Sequence, residues 1–192
     1  MALGANLGDP VATLGAAVGA LATLGCVDAA SRPWATDPVG GPPGQPPYLN
    51  AVVRWHPAPP WATPERSLAA LLAIEAGLGR RRRERWGPRL IDLDLLDGRG
   101  WRRPPRRAPT ADLTLPHPRA GGRAFVLVPW AEIAPDWPAP PAAGAPAEAV
   151  GDRARRVDRG GVHPAEPAVL AAWKAALTGR RVGVPEGGAA RG

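Results

Sequence analysis

GRRRRERWGPRLIDLDLL, running from Gly79 to Leu96, is the stretch around which the chain is organised. In its second half, Leu90-Ile91-Asp92-Leu93-Asp94-Leu95-Leu96, apolar residues alternate with two carboxylates, the pattern of a strand whose successive side chains point to opposite faces. Asp92 and Asp94 therefore share a face, roughly 6.5–7 Å apart along the strand. Two unpaired carboxylates so close repel and raise one pKa unless a cation lies between them. Mg²⁺ suits such a pair, because it takes a few carboxylate oxygens and fills its shell with water and substrate phosphates. Arg80, Arg81, Arg82, Arg83, Arg85 and Arg89, just upstream, supply the guanidinium forks that suit phosphate. Cation-holding acids beside phosphate-holding bases point to phosphoryl-group chemistry. An acidic pair also fits a solvated strand face, and an arginine run a solvated helix end or a nucleic-acid patch. The adjacency of the two, with Trp86 and a rigid Gly87-Pro88 turn between them, favours a built site.

Together with Gly4-Ala5-Asn6-Leu7-Gly8-Asp9 before it and Leu113-Thr114-Leu115-Pro116-His117-Pro118-Arg119 after it, this stretch resembles the 6-hydroxymethyl-7,8-dihydropterin pyrophosphokinase family of folate biosynthesis. The resemblance covers roughly residues 2–137, and its RWGPR-x-x-DLDLL string is highly specific. It implies transfer of the β,γ-diphosphate of ATP to the hydroxymethyl oxygen of the dihydropterin, with release of AMP. It also implies two Mg²⁺ ions held by Asp92 and Asp94 and catalytic roles for these carboxylates with Arg80 and Arg89. Glu75, Arg82, Leu95, Thr114, His117 and Arg123 match ATP-binding positions. Thr36, Val39, Tyr48, Asn50, Trp86 and Phe125 match substrate-binding positions, with Tyr48 and Phe125 stacking on the pterin ring, Asn50 reading its edge, and Trp86 on a closing loop. The implied fold is α+β, an antiparallel sheet flanked by helices with a ferredoxin-like core.

The 192 residues allow one domain of ordinary size with room for a tail. Cys26 is the single cysteine, so no intramolecular disulfide forms, and no apolar run approaches the roughly 18 residues of a membrane span. With no signal peptide before the first motif, the expectation is a cytoplasmic monomer whose partners are small molecules and neither nucleic acid nor membrane. The net charge of +7 would ordinarily raise nucleic acid as a partner. However, all 24 basic residues but Lys174 are arginine, beside 26 prolines and 24 glycines, which reads as the codon bias of a GC-rich genome. Two alternatives stay open: a basic nucleic-acid-binding protein that stacks bases on its eight tryptophans, and a catalytically silent relative, given the short first strand.

That first strand is only Met1-Ala2-Leu3 before the Gly4–Asp9 turn. Asp9 reads as an N-cap with Pro10 at the first helical position, and Val11, Leu14, Val18 and Leu21 recur at helical spacing until Gly25. Gly15 and Gly19 would let this helix lie close on a sheet. Cys26–Ala35, interrupted by Pro33, reads as an edge strand, and Thr36–Pro47 as a kinked loop running into a strong strand over Tyr48–Trp55. Thr63-Pro64-Glu65 begins a second helix whose buried stripe is Leu68, Leu71, Leu72 and Leu78, ending at Gly79; Glu75 on it reads as a solvated side chain from pattern alone. Asp97-Gly98 signals a hairpin turn, with a surface return over Trp101–Arg107 and a brief strand at Leu113–Leu115. Val126–Ala134 is apolar and completes the core. Residues 1–138 thus form the domain, and 139–192 read as an Ala/Pro/Arg-rich tail, partly disordered, with one candidate short helix over Glu166–Thr178 and no part in the chemistry.

Overall fold

In the computed structural model, which describes residues 1–81, 87–98, 113–180 and 182–185, the chain builds an antiparallel sheet between two layers of helices. The first strand, β1 (Ala2–Ala5), is longer than the sequence suggests, because Gly4 and Ala5 continue it. It leads into helix α1 (Pro10–Thr23), whose first turn is capped by the Asp9 side chain accepting from the Ala12 N–H. The expected edge strand is two pieces, β2 (Gly25–Ala30) and β3 (Trp34–Thr36), broken at Ser31-Arg32-Pro33. The long strand β4 (Tyr48–Pro57) pairs with β1, β2 and β3. Helix α2 (Pro64–Gly77) crosses to the short strand β5 (Asp92–Asp94), which adds to the other edge of β1. This is a β-α-β-β-α-β path, and the fold is α+β, as the sequence implies.

One face of the sheet carries Leu3, Ala5, Leu49, Ala51, Val53 and Leu93, packed against Leu14, Val18 and Leu21 of α1 and Leu71 of α2. The opposite face carries Val52, covered by helix α3 (Ala124–Ile133) through Val126, Leu127 and Trp130 and by helix α4 (Val150–Arg156) through Val150 and Ala154. The strong strand expected over Tyr48–Trp55 is thus present, buried on both faces from Leu49 to Val53. In α2 the buried set is Ser67, Ala70, Leu71 and Glu75, and Leu72 is 40% exposed. Of the expected stripe, Leu71 is buried and Leu68 and Leu78 pack against the core, so only Leu72 departs from it; the Ser67 hydroxyl donates to the Trp61 carbonyl at 2.7 Å. Leu113–Leu115 forms no strand, and the expected return over Trp101–Arg107 lies outside the described residues.

The chain beyond Ala139 differs from a loosely packed tail. After α4, strand β6 (Val162–Pro164) pairs antiparallel with β3, and helix α5 (Pro167–Leu177) lies against α1. Trp173 of α5 is fully buried, and its indole N–H donates to the Ser31 carbonyl at 3.0 Å. Gly15 faces this helix and not the sheet; a Cβ there would sit 2.7 Å from the Ala176 methyl. The glycines that lower the intrinsic propensity of α1 make the groove that admits α5.

Candidate active site

Gly4 is where the site begins. In the sheet register it lies opposite Asn50 on β4 and Asp92 on β5, and Ala2, on the same face, lies opposite Val52 and Asp94. Helix α3 covers the Ala2–Val52 half of this face, while the Gly4 half stays open. Glycine is required at position 4 for space: a Cβ would sit 2.7 Å from the Asn50 Oδ1. Asp92 and Asp94 thus share a face, as their alternation suggests.

Helix α2 ends in a Schellman arrangement, with the Arg80 N–H donating to the Glu75 carbonyl at 2.9 Å and the Gly79 N–H to Ala76 at 3.0 Å, Gly79 taking φ +86°. This termination aims Arg80 at the strand that follows. Its guanidinium pairs with Glu75 and, at 2.7 Å, with Asp92 Oδ1, while Arg89 binds Asp92 Oδ2 at 2.6 Å. Glu75 is 3% exposed and accepts the Leu93 N–H at 2.7 Å, so it ties α2, Arg80 and β5 together. Burial raises its pKa, with the Leu93 N–H and Arg80 opposing.

Asp94 is pushed above the usual carboxylate range, first by burial and then by Asp92, with His117, Arg123 and Arg80 pulling it back. A nearby cation favours the charged form of such a carboxylate. No group of three or more His, Cys, Asp or Glu side chains forms a cage among the described residues. Two carboxylates on one face, flanked by guanidinium groups, nevertheless fit a Mg²⁺ that completes its shell with water and phosphate oxygens. His117 is fixed by its N–H donating to the Leu96 carbonyl at 2.8 Å, and its Nδ1 accepts the Arg119 N–H at 3.2 Å. Burial lowers its pKa, so the ring is held neutral with its proton on Nε2. Arg123, at the start of α3, lies 5.4 Å from the Phe125 ring centroid.

Arg80, Arg89, Asp92, Asp94, His117 and Arg123 line one cavity of about 660 Å³ together with Thr36, Val39, Tyr48, Asn50 and Phe125. The Asn50 amide donates to the Thr36 hydroxyl at 2.6 Å, and the Tyr48 hydroxyl donates to the Gly87 carbonyl at 3.1 Å. Val39 is 76% exposed on its loop. Of the residues expected at the site, Arg80, Arg89, Asp92, Asp94, His117, Arg123, Thr36, Val39, Tyr48, Asn50 and Phe125 come together here. Glu75 stands behind Arg80 and does not line the cavity. The Leu95 side chain packs in the core, and Thr114 is exposed away from the lining. Arg82 and Trp86 lie outside the described residues.

Three contributors escaped the sequence reading. Asn6, buried at 4% exposure, accepts the Arg89 N–H at 2.8 Å and donates to the Pro46 carbonyl at 3.0 Å, joining both site loops. Its signal was an amide directly after an apolar strand. Asp37 and the Asp158–Val162 segment line the same cavity; nothing in the local sequence marked the second of these.

A family model described as 7,8-dihydro-6-hydroxymethylpterin-pyrophosphokinase matches residues 1–135. Curated relatives named 2-amino-4-hydroxy-6-hydroxymethyldihydropteridine pyrophosphokinase are similar over the same region. The protein from Synechocystis sp. is 41% identical over 136 residues, 70% of this chain and 65% of its own length. That from Methylorubrum extorquens is 46% identical over 138 residues, 71% of this chain and 82% of its own. The Mycobacterium leprae protein is 38% identical over 165 residues, 83% of this chain and 78% of its own. This chain thus spans just under two thirds of the Synechocystis relative and about four fifths of the other two.

Proposed function

Because this chain belongs to the 7,8-dihydro-6-hydroxymethylpterin-pyrophosphokinase family, we propose that it transfers diphosphate from ATP to 6-hydroxymethyl-7,8-dihydropterin in folate biosynthesis. The observation that carries this reading is one cavity lined both by guanidinium and carboxylate groups and by Tyr48, Asn50 and Phe125. The hydroxymethyl oxygen attacks the β-phosphorus, the bond from that phosphorus to the α–β bridging oxygen breaks, and AMP leaves with the bridging oxygen. The hydroxyl proton is released as the new P–O bond forms.

Asp92 and Asp94 would hold Mg²⁺, two ions in our reading, which supplies neutralisation of the triphosphate charge when bound with ATP. Arg80 and Arg89, on opposite oxygens of Asp92, are placed to turn from that carboxylate to phosphate oxygens. The neutral His117, with its Nε2 proton free of the Arg119 contact, donates a hydrogen bond without adding charge. Arg123 adds a further cation, beside the Phe125 ring. Preorganised donors of this kind act where charge moves in the transition state. In the same cavity, Tyr48 and Phe125 supply stacking faces for a flat heterocycle and Asn50 a fixed amide. No general base stands out, and positioning with charge stabilisation suffices for this chemistry. Arg82 and Trp86 match ATP-binding and substrate-binding positions of the family and would add contacts to those ligands. In our reading the protein acts as a monomer in the cytoplasm.

Protein given ATP, Mg²⁺ and the hydroxymethyl-dihydropterin should release AMP and pterin diphosphate in equal amounts. Release of ADP, or no pterin-dependent nucleotide turnover, contradicts the assignment.

A further inference from the structure

We propose that the Asp158–Val162 segment, which lies beyond the family match at 1–135, is a wall of the heterocycle end of the cavity and positions the Thr36–Asp37 backbone for pterin binding. This rests on the pterin reading above. Asp158, Gly160, Gly161 and Val162 line the same cavity as Thr36, Tyr48 and Phe125. The segment is built for position. The Gly160 N–H donates to the Asp158 carboxylate at 2.9 Å and the Val162 N–H to the Arg159 carbonyl at 2.9 Å, closing a tight turn.

From that turn the chain enters β6, with Val162 opposite Thr36 and His163 opposite Ala35. The Gly161 carbonyl accepts the Asp37 N–H at 2.8 Å, which extends the pairing one residue past β3 into the loop that follows. The Thr36 hydroxyl in turn accepts from the Asn50 amide, so the turn and the amide hold adjacent residues, Asp37 and Thr36. Gly161 adopts φ +70°, and an added Cβ would meet the Asp37 carboxylate at 2.6 Å. Position 161 therefore admits no side chain while Asp37 keeps its place. Downstream, α5 with the buried Trp173 and the hydrogen bonds of Gly183 to Asp28 and Ala30 fasten the segment to the sheet.

The test is a set of substitutions read as separate KM values for pterin and ATP, with thermal melting of each variant. Gly161→Ala should raise the pterin KM about tenfold, as expected when a binding backbone is displaced by a fraction of an ångström, and leave the ATP KM unchanged. Asp37→Ala, which removes the atoms the new methyl meets, should couple with it, so that Gly161→Ala costs much less in the Asp37→Ala background. Gly179→Ala is the control: it has the same backbone strain at φ +79°, but nothing lies within 4 Å of its Cβ, and the pterin KM should not move. Asp158→Ala, at an exposed position, loosens the turn without burying anything and should raise the pterin KM more modestly. The wall is overturned if neither Gly161→Ala nor Asp158→Ala changes the pterin KM, if Gly161→Ala and Gly179→Ala behave alike, or if both substrates weaken together. Should Phe125→Ala also leave the pterin KM unchanged, the pterin reading itself fails. If Phe125→Ala alone weakens pterin, only the role of this segment is lost.

Discussion

Asp92 and Asp94 were legible because strand alternation needs only neighbours in sequence, and a carboxylate at every second position among leucines has little structural purpose. Glu75 was not, because it resembles any solvated glutamate on a helix until its partner, the Leu93 N–H, is brought to it from the next strand. Asn6 was hidden for the same reason, since Arg89 and Pro46 are far away in sequence. Asp92→Ala and Asp94→Ala should each cut turnover by at least about 10³, the loss of a metal contact worth several kcal/mol, while the circular dichroism of the fold is unchanged. Near-normal turnover of either variant at ordinary Mg²⁺ would remove these residues from the metal site. The raised pKa of Asp94 carries a second expectation. A carboxyl whose folded pKa exceeds its unfolded value contributes its stability below the ordinary value of 3.8 and loses it as pH rises through the folded value. Metal-free protein should therefore lose part of its stability as pH rises above about 4, and Asp94→Asn should be inactive yet melt higher than wild type at neutral pH. A lower melting temperature for Asp94→Asn would mean that the carboxylate is satisfied by its neighbours without a cation.

Among the elements, the helix caps at Asp9 and Thr63 and the strand β4 were readable from sequence, because each is decided by local chemistry. The leucine spacing of α2 placed Leu68, Leu71 and Leu78 on the core but also included Leu72, which is exposed, and missed the buried Ser67, Ala70 and Glu75. The arginine run shows what an element end can do that composition cannot. The termination at Gly79 sends Arg80 to Glu75 and Asp92, whereas Arg81, one residue on, is exposed and absent from the cavity lining. Arg80→Ala and Arg89→Ala should therefore lower kcat by about 10²–10³ with pterin affinity nearly kept, because their forks matter most as charge shifts on the phosphates. Arg81→Ala should stay within about twofold of wild type, in keeping with a surface position. Equal sensitivity at all three positions would instead indicate a general electrostatic patch.

At the scale of the molecule, the α+β class followed from the order and shortness of the elements, but the extent of the packed body did not. An Ala/Pro/Arg-rich composition gives no sign that Trp173 is anchored to Ser31, 142 residues away in the chain, or that Gly15 leaves the space for Ala176. Trp173→Ala should destabilise the protein by about 3–5 kcal/mol, the range for truncating a large buried aromatic, measured by denaturant unfolding at constant m. A change under about 1 kcal/mol would mean that α5 is a separable appendage. The central claim is that one cavity seats two substrates, phosphates among the charged groups and the heterocycle against Tyr48 and Phe125. Calorimetric titration of the pterin, with and without a non-hydrolysable ATP analogue and Mg²⁺, tests it most directly when wild type and Phe125→Ala are compared. The account predicts that pterin binds after nucleotide and that Phe125→Ala weakens it by about 1–3 kcal/mol with ATP affinity unchanged. Tight pterin binding to nucleotide-free protein, indifferent to Phe125→Ala, would contradict it.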